Sequence, residues 1–148
     1  MKKERTMNNK GFSLVELIIV IAIMAILIGV MAPQLTKYVE QSRVSADTQV
    51  ADSVRTAIVT ALVDPTITDG SAPSTMAAAE KITSIDYTKQ FGALVEDIMG
   101  DTAANVQGKL KSKAYMGADI MYQIKDNNQV EITITSKDTS VAPNLVVK

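Results

Sequence analysis

The chain has 148 residues, of which 47% are hydrophobic and 21% charged, and its formal net charge is −1. This length suits one domain or a small domain with an appendage, and the composition argues against a disordered chain and against a basic nucleic-acid binder. Histidine and cysteine are both absent, which removes imidazole catalysis, cysteine nucleophiles, disulfides and the usual zinc sites, so we expect neither an enzyme nor a cofactor.

The first predicted element is an apolar run over residues 12–32, which reads FSLVELIIVIAIMAILIGVMA. Its 21 residues would span about 31 Å as a helix, close to the roughly 30 Å hydrocarbon thickness of a bilayer. The run is longer than the apolar region of a secretory signal peptide, and the small-residue pattern of a cleavage site is poor at its far end. A single membrane crossing is therefore predicted.

The segment ahead of this run, MKKERTMNNKG, carries four basic residues and one acid and so has a net charge of +3. A positive flank before the first apolar segment normally stays cytoplasmic, so we expect the rest of the chain on the far side of the membrane. Subtracting +3 from the total of −1 leaves −4 for the other 137 residues. This mildly acidic balance weakens any case for direct nucleic-acid binding.

Glu16 is the one charged residue in the apolar run. A carboxylate inside a transmembrane helix costs about 2.5 to 3.5 kcal/mol, so it should have a partner or lie near the interface. Nothing nearby in the sequence provides a partner, and two interpretations stay open: the side chain reaches the headgroups, or it meets a positive charge at the same depth. Cleavage between Gly11 and Phe12 would create such a charge, the α-amino group of Phe12, in the same or a neighbouring molecule.

The residues KGFSLVEL, from Lys10 to Leu17, resemble the prepilin signature of type IV pilins and the related pseudopilins. In that signature a short basic leader ends in glycine, and a phenylalanine and a glutamate fifth in the mature chain open an uninterrupted apolar helix. The resemblance implies that a membrane-embedded prepilin peptidase cuts after Gly11 and N-methylates Phe12. It also implies that Glu16 pairs with the amino terminus of Phe12 in an adjacent subunit during filament growth.

The resemblance extends to Pro33, which matches a proline frequent in major pilins, near which the helix loosens inside the filament. Proline removes an amide donor and clashes with the preceding turn, and Gly29 would make this stretch easier still to open. A second proline common in many Gram-negative pilins is not found, and the paired cysteines of their carboxy-terminal region are absent. A Gram-positive or otherwise cysteine-poor pilin is therefore the better expectation.

Beyond Pro33 the pattern becomes amphipathic, with apolar residues at three- and four-residue intervals. Asp64 should stop the helix because the residue before a proline avoids the helical region. The predicted helix from Phe12 to Val63 has 52 residues and a length of about 78 Å. We expect its first half to be buried in lipid or among copies of itself, and its second half to pack on a head domain.

The head is predicted to begin with a loop over residues 64–75 and a short helix over residues 76–81. Asp86 is a plausible N-cap of a second helix, and Gly100 is positioned to end it. A loop through Asn105 follows.

The tail changes to a period of two, which predicts antiparallel strands around a turn at residues 126–128. The alternating apolar positions are Tyr115, Ile120, Tyr122 and Ile124, then Val130, Ile132 and Ile134. Residues 145–147 and 109–116 are further strand candidates. Asp126, Asn128 and Glu131 superficially suggest a calcium loop, but the loop glycine and the remaining ligand spacing are absent, so a hairpin turn and no metal are expected.

The predicted organisation is a prepilin leader over 1–11, an apolar transmembrane and filament-core helix over 12–33, its amphipathic continuation over 34–63, and a globular head over 64–148. A half-exposed antiparallel sheet laid over the long helix makes the fold class α+β. This agrees with the lollipop fold of the pilin family.

Three functions remain open at this point. The family resemblance implies first a structural subunit of a type IV pilus, a homopolymer used for adhesion, motility or aggregation and assembled from the cytoplasmic membrane to the cell surface by machinery with a partner ATPase. The second is a pseudopilin of a type II secretion or competence system. The third is a single-pass membrane protein with a binding or enzymatic head, which requires a concave site with convergent polar groups that the sequence does not reveal.

Overall fold

The structure is a computed structural model that describes residues 11–148, with only the backbone described at Asn127. The predicted leader therefore lies outside the described residues except for Gly11. The chain forms two compact units, which divide between Tyr38 and Val39. The described residues contain a long apolar α-helix, two short α-helices, two 3-10 helices (Ile82–Ser84 and Asp126–Asn128) and a four-stranded antiparallel sheet, which confirms the predicted α+β class.

The first helix, α1, runs over Leu14–Leu62 and includes Pro33. It begins two residues later and ends one residue earlier than the sequence pattern predicted. At its end the amide of Val63 donates to the carbonyl of Thr60 at 3.3 Å, so the last turn tightens before Pro65.

In the unit formed by residues 39–148, α1 buries one narrow face. Apart from the adjacent pair Ala57 and Ile58, the buried positions follow one another at three- and four-residue spacing, as on one side of a helix. They are Asp47, Ala51, Val54, Ala57, Ile58 and Ala61. Their apolar members belong to the same buried cluster as the inward-facing strand residues, so the sheet packs on this face of the helix as predicted.

The sheet has the order β1-β2-β3-β4 and is antiparallel throughout. The strands are β1 (Glu80–Lys81), β2 (Ile120–Lys125), β3 (Gln129–Ile134) and β4 (Leu145–Val147). Buried and part-exposed residues alternate along β2 and β3, so one face covers the core while the other meets solvent. The predicted hairpin and the predicted strand at 145–147 are both confirmed.

Two predicted elements are wrong because groups elsewhere in the chain bind the backbone of these segments. Residues 76–81 do not form a helix: the amide of Met76 donates to the carbonyl of Ile124 at 2.8 Å, and residues 80–81 pair with β2. The edge of β2 offers unpaired backbone groups that this segment satisfies. Residues 109–116 form turns instead of a strand, because carboxylates of α1 hold their amides.

The second helix, α2, spans Gln90–Met99, and Gly100 ends it in the left-handed conformation, with φ 67°, as predicted. Asp86 is not its N-cap, because that position is Lys89 and the Asp86 carboxylate binds the amide of Thr88 at 3.0 Å. Asn105 lies in a third helix, α3 (Ala103–Gly108), and not in a loop; the Thr102 hydroxyl caps this helix by accepting from the Asn105 amide at 3.3 Å.

Four turns of the head are closed by the same short motif. In each, an aspartate accepts hydrogen bonds from the amide and the hydroxyl of a serine or threonine two residues later. The pairs are Asp64 with Thr66, Asp69 with Ser71, Asp86 with Thr88, and Asp138 with Ser140. The hydroxyl bond lowers the pKa of each of these carboxyl groups below its usual value, so all four turns favour the ionised acid.

Asp47 is a fully buried carboxylate that holds the segment after α3 against α1. Its two oxygens accept from the amides of Lys111 at 2.8 Å and Ser112 at 2.9 Å. Two turns earlier on α1, Glu40 accepts from the amide of Lys113. Three successive amides of an irregular segment are thus satisfied by one helix, as buried backbone groups must be.

We expect Asp47→Asn to lower the free energy of unfolding by about 2 kcal/mol, because the side-chain NH2 would face one of the two amide donors and leave it unpaired. Denaturant unfolding of the detergent-solubilised chain measures the effect. Asp52→Asn, on the exposed side of the same helix, is the matched control and should change stability by less than about 0.5 kcal/mol. Equal effects of the two substitutions would contradict the anchoring role of Asp47.

Gly92 is required by a close backbone contact. A Cβ at this position would lie 2.3 Å from the Asp86 carbonyl oxygen, whereas a Cβ at Gly108 in α3 would meet no atom within 4 Å. Alanine stabilises an unstrained helical position by about 1 kcal/mol relative to glycine. We therefore expect Gly108→Ala to raise the melting temperature and Gly92→Ala to lower it, as measured by thermal unfolding; stabilisation by Gly92→Ala would refute the contact.

Candidate assembly site on the N-terminal helix

The described part of the unit that ends at Tyr38 is one helical segment preceded by residues 11–13, and its apolar side chains are uncovered. Every residue from 11 to 39 is exposed, and the large apolar side chains between Phe12 and Val39 have exposed fractions from 44% to 92%. The mean hydropathy of the most apolar 18-residue window in α1 is 3.0, so by length and composition this helix can cross a membrane. A surface of this kind has to be covered by lipid or by protein.

The predicted cut site lies just outside the helix. Gly11, Phe12 and Ser13 have no regular secondary structure, and the Phe12 side chain is 92% exposed. The peptide between Gly11 and Phe12 therefore precedes the first helical residue, Leu14, on an open segment of backbone.

Ser13 and Glu16 form a capping box at the start of α1. The carboxylate oxygen Oε2 of Glu16 accepts from the amide of Ser13 at 2.8 Å, and the hydroxyl of Ser13 accepts from the amide of Val15 at 3.4 Å. Two amides that the helix leaves without a partner are satisfied in this way. The carboxylate also lies at the positive end of the helix dipole, which favours its negative charge.

The expectation that nothing nearby provides a partner for Glu16 is therefore wrong. The Ser13 amide is that partner, and it is a neutral donor from the same chain. Ser13 is the residue of this candidate site that the sequence interpretation missed. The signal was present, because serine followed three residues later by glutamate ahead of an apolar run is the sequence pattern of a capping box.

Gly29 and Pro33 lie one turn apart in the middle of the exposed helix. Proline has no amide hydrogen, so Pro33 cannot donate to the carbonyl of Gly29, four residues before it. The helix nevertheless continues, and the hydroxyl of Thr36 donates to the Pro33 carbonyl at 3.0 Å. This turn holds fewer backbone hydrogen bonds than its neighbours.

The structure thus brings the predicted residues together in two groups. Gly11, Phe12 and Glu16 lie at the start of α1, whereas Gly29 and Pro33 lie together further along the same helix. Glu16 and Pro33 are 17 residues apart, or about 26 Å along the helix axis. The first group contains the residues predicted to act in cleavage and charge pairing, and the second contains those predicted to allow the helix to open.

Within residues 11–148 no group of three or more histidine, cysteine, aspartate or glutamate side chains is arranged to hold a metal ion. The residues that resemble a calcium loop form the β2–β3 hairpin instead. Residues 126–128 make a short 3-10 turn, and the Glu131 carboxylate binds the Lys125 ammonium at 2.5 Å. The hairpin interpretation is confirmed.

Comparison with known proteins matches the same N-terminal region. A family model described as the prokaryotic N-terminal methylation motif matches residues 6–32. Two type IV major fimbrial proteins FimA of Dichelobacter nodosus are each 46% identical to the chain over 55 residues, which is 37% of this chain and 35% and 34% of theirs. The match thus spans about a third of the length of these relatives. No solved structure shows a significant match.

The methylation motif covers the predicted cut site, the capping box and most of the exposed apolar helix, and the α+β architecture is that expected of a pilin. The chain thus shares a methylation motif and an N-terminal segment of 55 residues with type IV fimbrial proteins.

Proposed function

We propose that the chain is the structural subunit of a type IV pilus. The observation that carries the proposal is the uncovered apolar surface of α1, which has a single carboxylate at its N-terminal end. Lipid covers that surface in the precursor, and neighbouring copies cover it in the filament. The FimA proteins that share its 55-residue segment are described as major fimbrial proteins, which supports this choice.

The precursor spans the cytoplasmic membrane once. Residues 1–11 form the basic cytoplasmic leader, 12–33 the membrane and filament-core helix, 34–63 its amphipathic continuation, and 64–148 the head. The charge of +3 on the leader favours this orientation. Prepilin peptidase removes the leader after Gly11 and methylates the amino group of Phe12.

Glu16 then selects the next subunit. Among the described residues only Oε2 of its carboxylate accepts a hydrogen bond, from the amide of Ser13, so Oε1 is available to a second donor. The amine of Phe12 in a neighbouring copy is a donor of the right charge at the same depth of the membrane. An ion pair is strong in this setting, since hydrocarbon screens it far less than water does.

In the filament, the turn between Gly29 and Pro33 is where the helix opens. The missing amide of Pro33 already removes one hydrogen bond there, so this turn costs less to unwind than any neighbouring turn. Cellular partners of the assembled chain are other copies of itself, the prepilin peptidase and an assembly ATPase. The filament serves adhesion, motility or aggregation at the cell surface.

Gly11→Trp should abolish cleavage, because a large side chain next to the cut replaces the glycine of the motif. Intact mass spectrometry of the membrane fraction checks this: wild-type protein should have the mass of residues 12–148 plus one methyl group, and the variant the full-length mass. Gly29→Ala, a substitution with no atom within 4 Å of the added carbon, should be processed normally. A mature mass for Gly11→Trp would disprove the cut-site assignment.

Glu16→Gln separates charge pairing from capping, because its amide oxygen can still accept from the Ser13 amide while the negative charge is lost. We expect this variant to be inserted and cleaved but to assemble poorly, since removing one partner of a buried ion pair costs about 3 to 5 kcal/mol. Filaments sheared from cells and the remaining membrane pool are quantified by immunoblotting, with Lys37→Gln as a control on the same helix. Normal filament yield from Glu16→Gln would exclude the ion pair.

Electron microscopy of cells that express the chain with its assembly machinery tests the function as a whole. Long surface fibres labelled by an antibody against the head support the pilus. Short fibres confined to the cell envelope would identify a pseudopilin instead, and label spread over the membrane without fibres would identify a single-pass membrane protein.

A further inference from the structure

The head carries a cationic groove at the turn of the β2–β3 hairpin. The groove has a volume of about 480 Å³. Its charged side chains are Arg55, Lys125 and Lys148 around one acid, Glu131. Counting side chains, the net charge of this cationic groove is +2.

The charged side chains of the groove come from different elements and contact neighbouring groups. The Nε of Arg55, on α1, donates to the carbonyl of Val130 at 3.2 Å. Both lysines share one oxygen of Glu131, Lys125 at 2.5 Å and Lys148 at 3.8 Å. Since the groove contains three cationic side chains and one carboxylate, it retains positive charge that an acidic ligand can neutralise.

The same unit presents the opposite charge on a second surface, the acidic patch. It lies between the end of α2 and the start of α3 and contains Glu96, Asp97 and Asp101. Lys109 pairs with Asp101 at 2.9 Å, so the patch and this lysine together have a net charge of −2. Within residues 11–148, no cationic group lies within 4 Å of the carboxylates of Glu96 and Asp97.

The two surfaces belong to opposite ends of the hairpin. The groove is at Lys125, the last residue of β2, and Asp119, just before the first residue of β2, accepts from Gln107 of α3 at 3.1 Å. The strand between them has a length of about 17 Å at the usual rise. The short helix α3 therefore places the acidic patch near the start of β2, whereas the groove lies at the end of that strand.

We propose that the cationic groove of one head binds the acidic patch of the next copy of the chain. The two surfaces are opposite in charge and lie apart on the head, so the contact joins different surfaces of the two copies, that is, head-to-tail. A bound pair therefore still has one free groove and one free patch. Such a heterologous contact, when its rotation does not close a ring, generates an open helical filament. The proposal rests on the proposed function, because the second copy is a neighbouring pilus subunit.

Charge reversal tests the contact. Lys125→Glu with Lys148→Glu makes the groove acidic, Glu96→Lys with Asp97→Lys makes the patch basic, and a third variant combines all four changes. We expect sheared filament to fall about tenfold or more for either reversed surface, because like charges then face each other, and to recover in the combined variant. Lys111→Glu with Lys113→Glu is the control, since it changes the net charge by the same amount on exposed lysines outside both surfaces.

The outcomes separate this contact from the pilus itself. If wild-type chain forms no filaments in cells with the machinery, the proposed function fails; if wild type and both reversed variants form them equally, only the head-to-tail contact fails. Loss in the control as well would make the effect one of net charge and overturn the contact. A reversed groove that the combined variant does not rescue would also overturn it, since the groove would then bind some other acidic partner.

A second measurement does not depend on charge reversal. The chain has no cysteine, so Gln129→Cys in the groove and Ala93→Cys in the patch can be introduced without background. Mild oxidation of filaments should produce a ladder of cross-linked copies only when both substitutions are in the same chain. Monomers alone from this doubly substituted chain, or dimers from either single variant, would refute the head-to-tail arrangement.

Discussion

The uncovered apolar surface of α1 is the constraint on which the rest of the molecule depends. A Leu, Ile or Val side chain contributes about 1.5 to 3 kcal/mol when it leaves water, so the helix start is stable only in lipid or among similar helices. Lipid tails are as apolar as these side chains, however, so replacing lipid around α1 by neighbouring helices gives little hydrophobic driving force for association. Under the proposed function, polar and charged groups and work from assembly machinery have to supply the rest of the driving force.

The capping box explains how the chain carries a carboxylate at the start of such a helix. Unpaired backbone amides and an unpaired charge are each costly in hydrocarbon. Ser13 and Glu16 reduce both costs together, because the carboxylate satisfies an amide and the amide stabilises the carboxylate. The same geometry keeps the side chain directed towards the N-terminus, where the amine of a cleaved neighbour would arrive.

Elements set by local pattern could be predicted from the sequence, whereas those set by distant partners could not. The apolar helix, the β2–β3 hairpin and the stop at Gly100 follow from periodicity and from the left-handed conformation that glycine allows. Residues 109–116 look like a strand but form turns, since the buried Asp47 of α1 holds the amides of Lys111 and Ser112 from more than sixty positions away in the chain.

Other features that the sequence interpretation missed depend on neighbouring residues alone and could have been predicted. Asp86 resembles a helix cap, but a threonine two residues later offers its carboxylate a closer pair of donors. Thr102 ahead of Asn105 is a good N-cap, and it starts α3 where a loop was expected. At the candidate site Glu16 stands out as the one charge in the apolar run, and the cut and the role of Pro33 were predicted from a family signature, whereas Ser13 needed only the capping-box pattern.

The apolar part of α1 consists largely of leucine, isoleucine and valine. Such a surface provides contact area but does not fix how two neighbouring helices align along their length. One turn of such a surface resembles the next, so sliding two of these helices past each other changes their packing only slightly. In coiled coils a few polar residues fix the register of otherwise uniform apolar helices. Under the proposed function the same requirement applies here, and it is met most simply by point charges, with Glu16 on the apolar part of α1 and the cationic groove and acidic patch in the head.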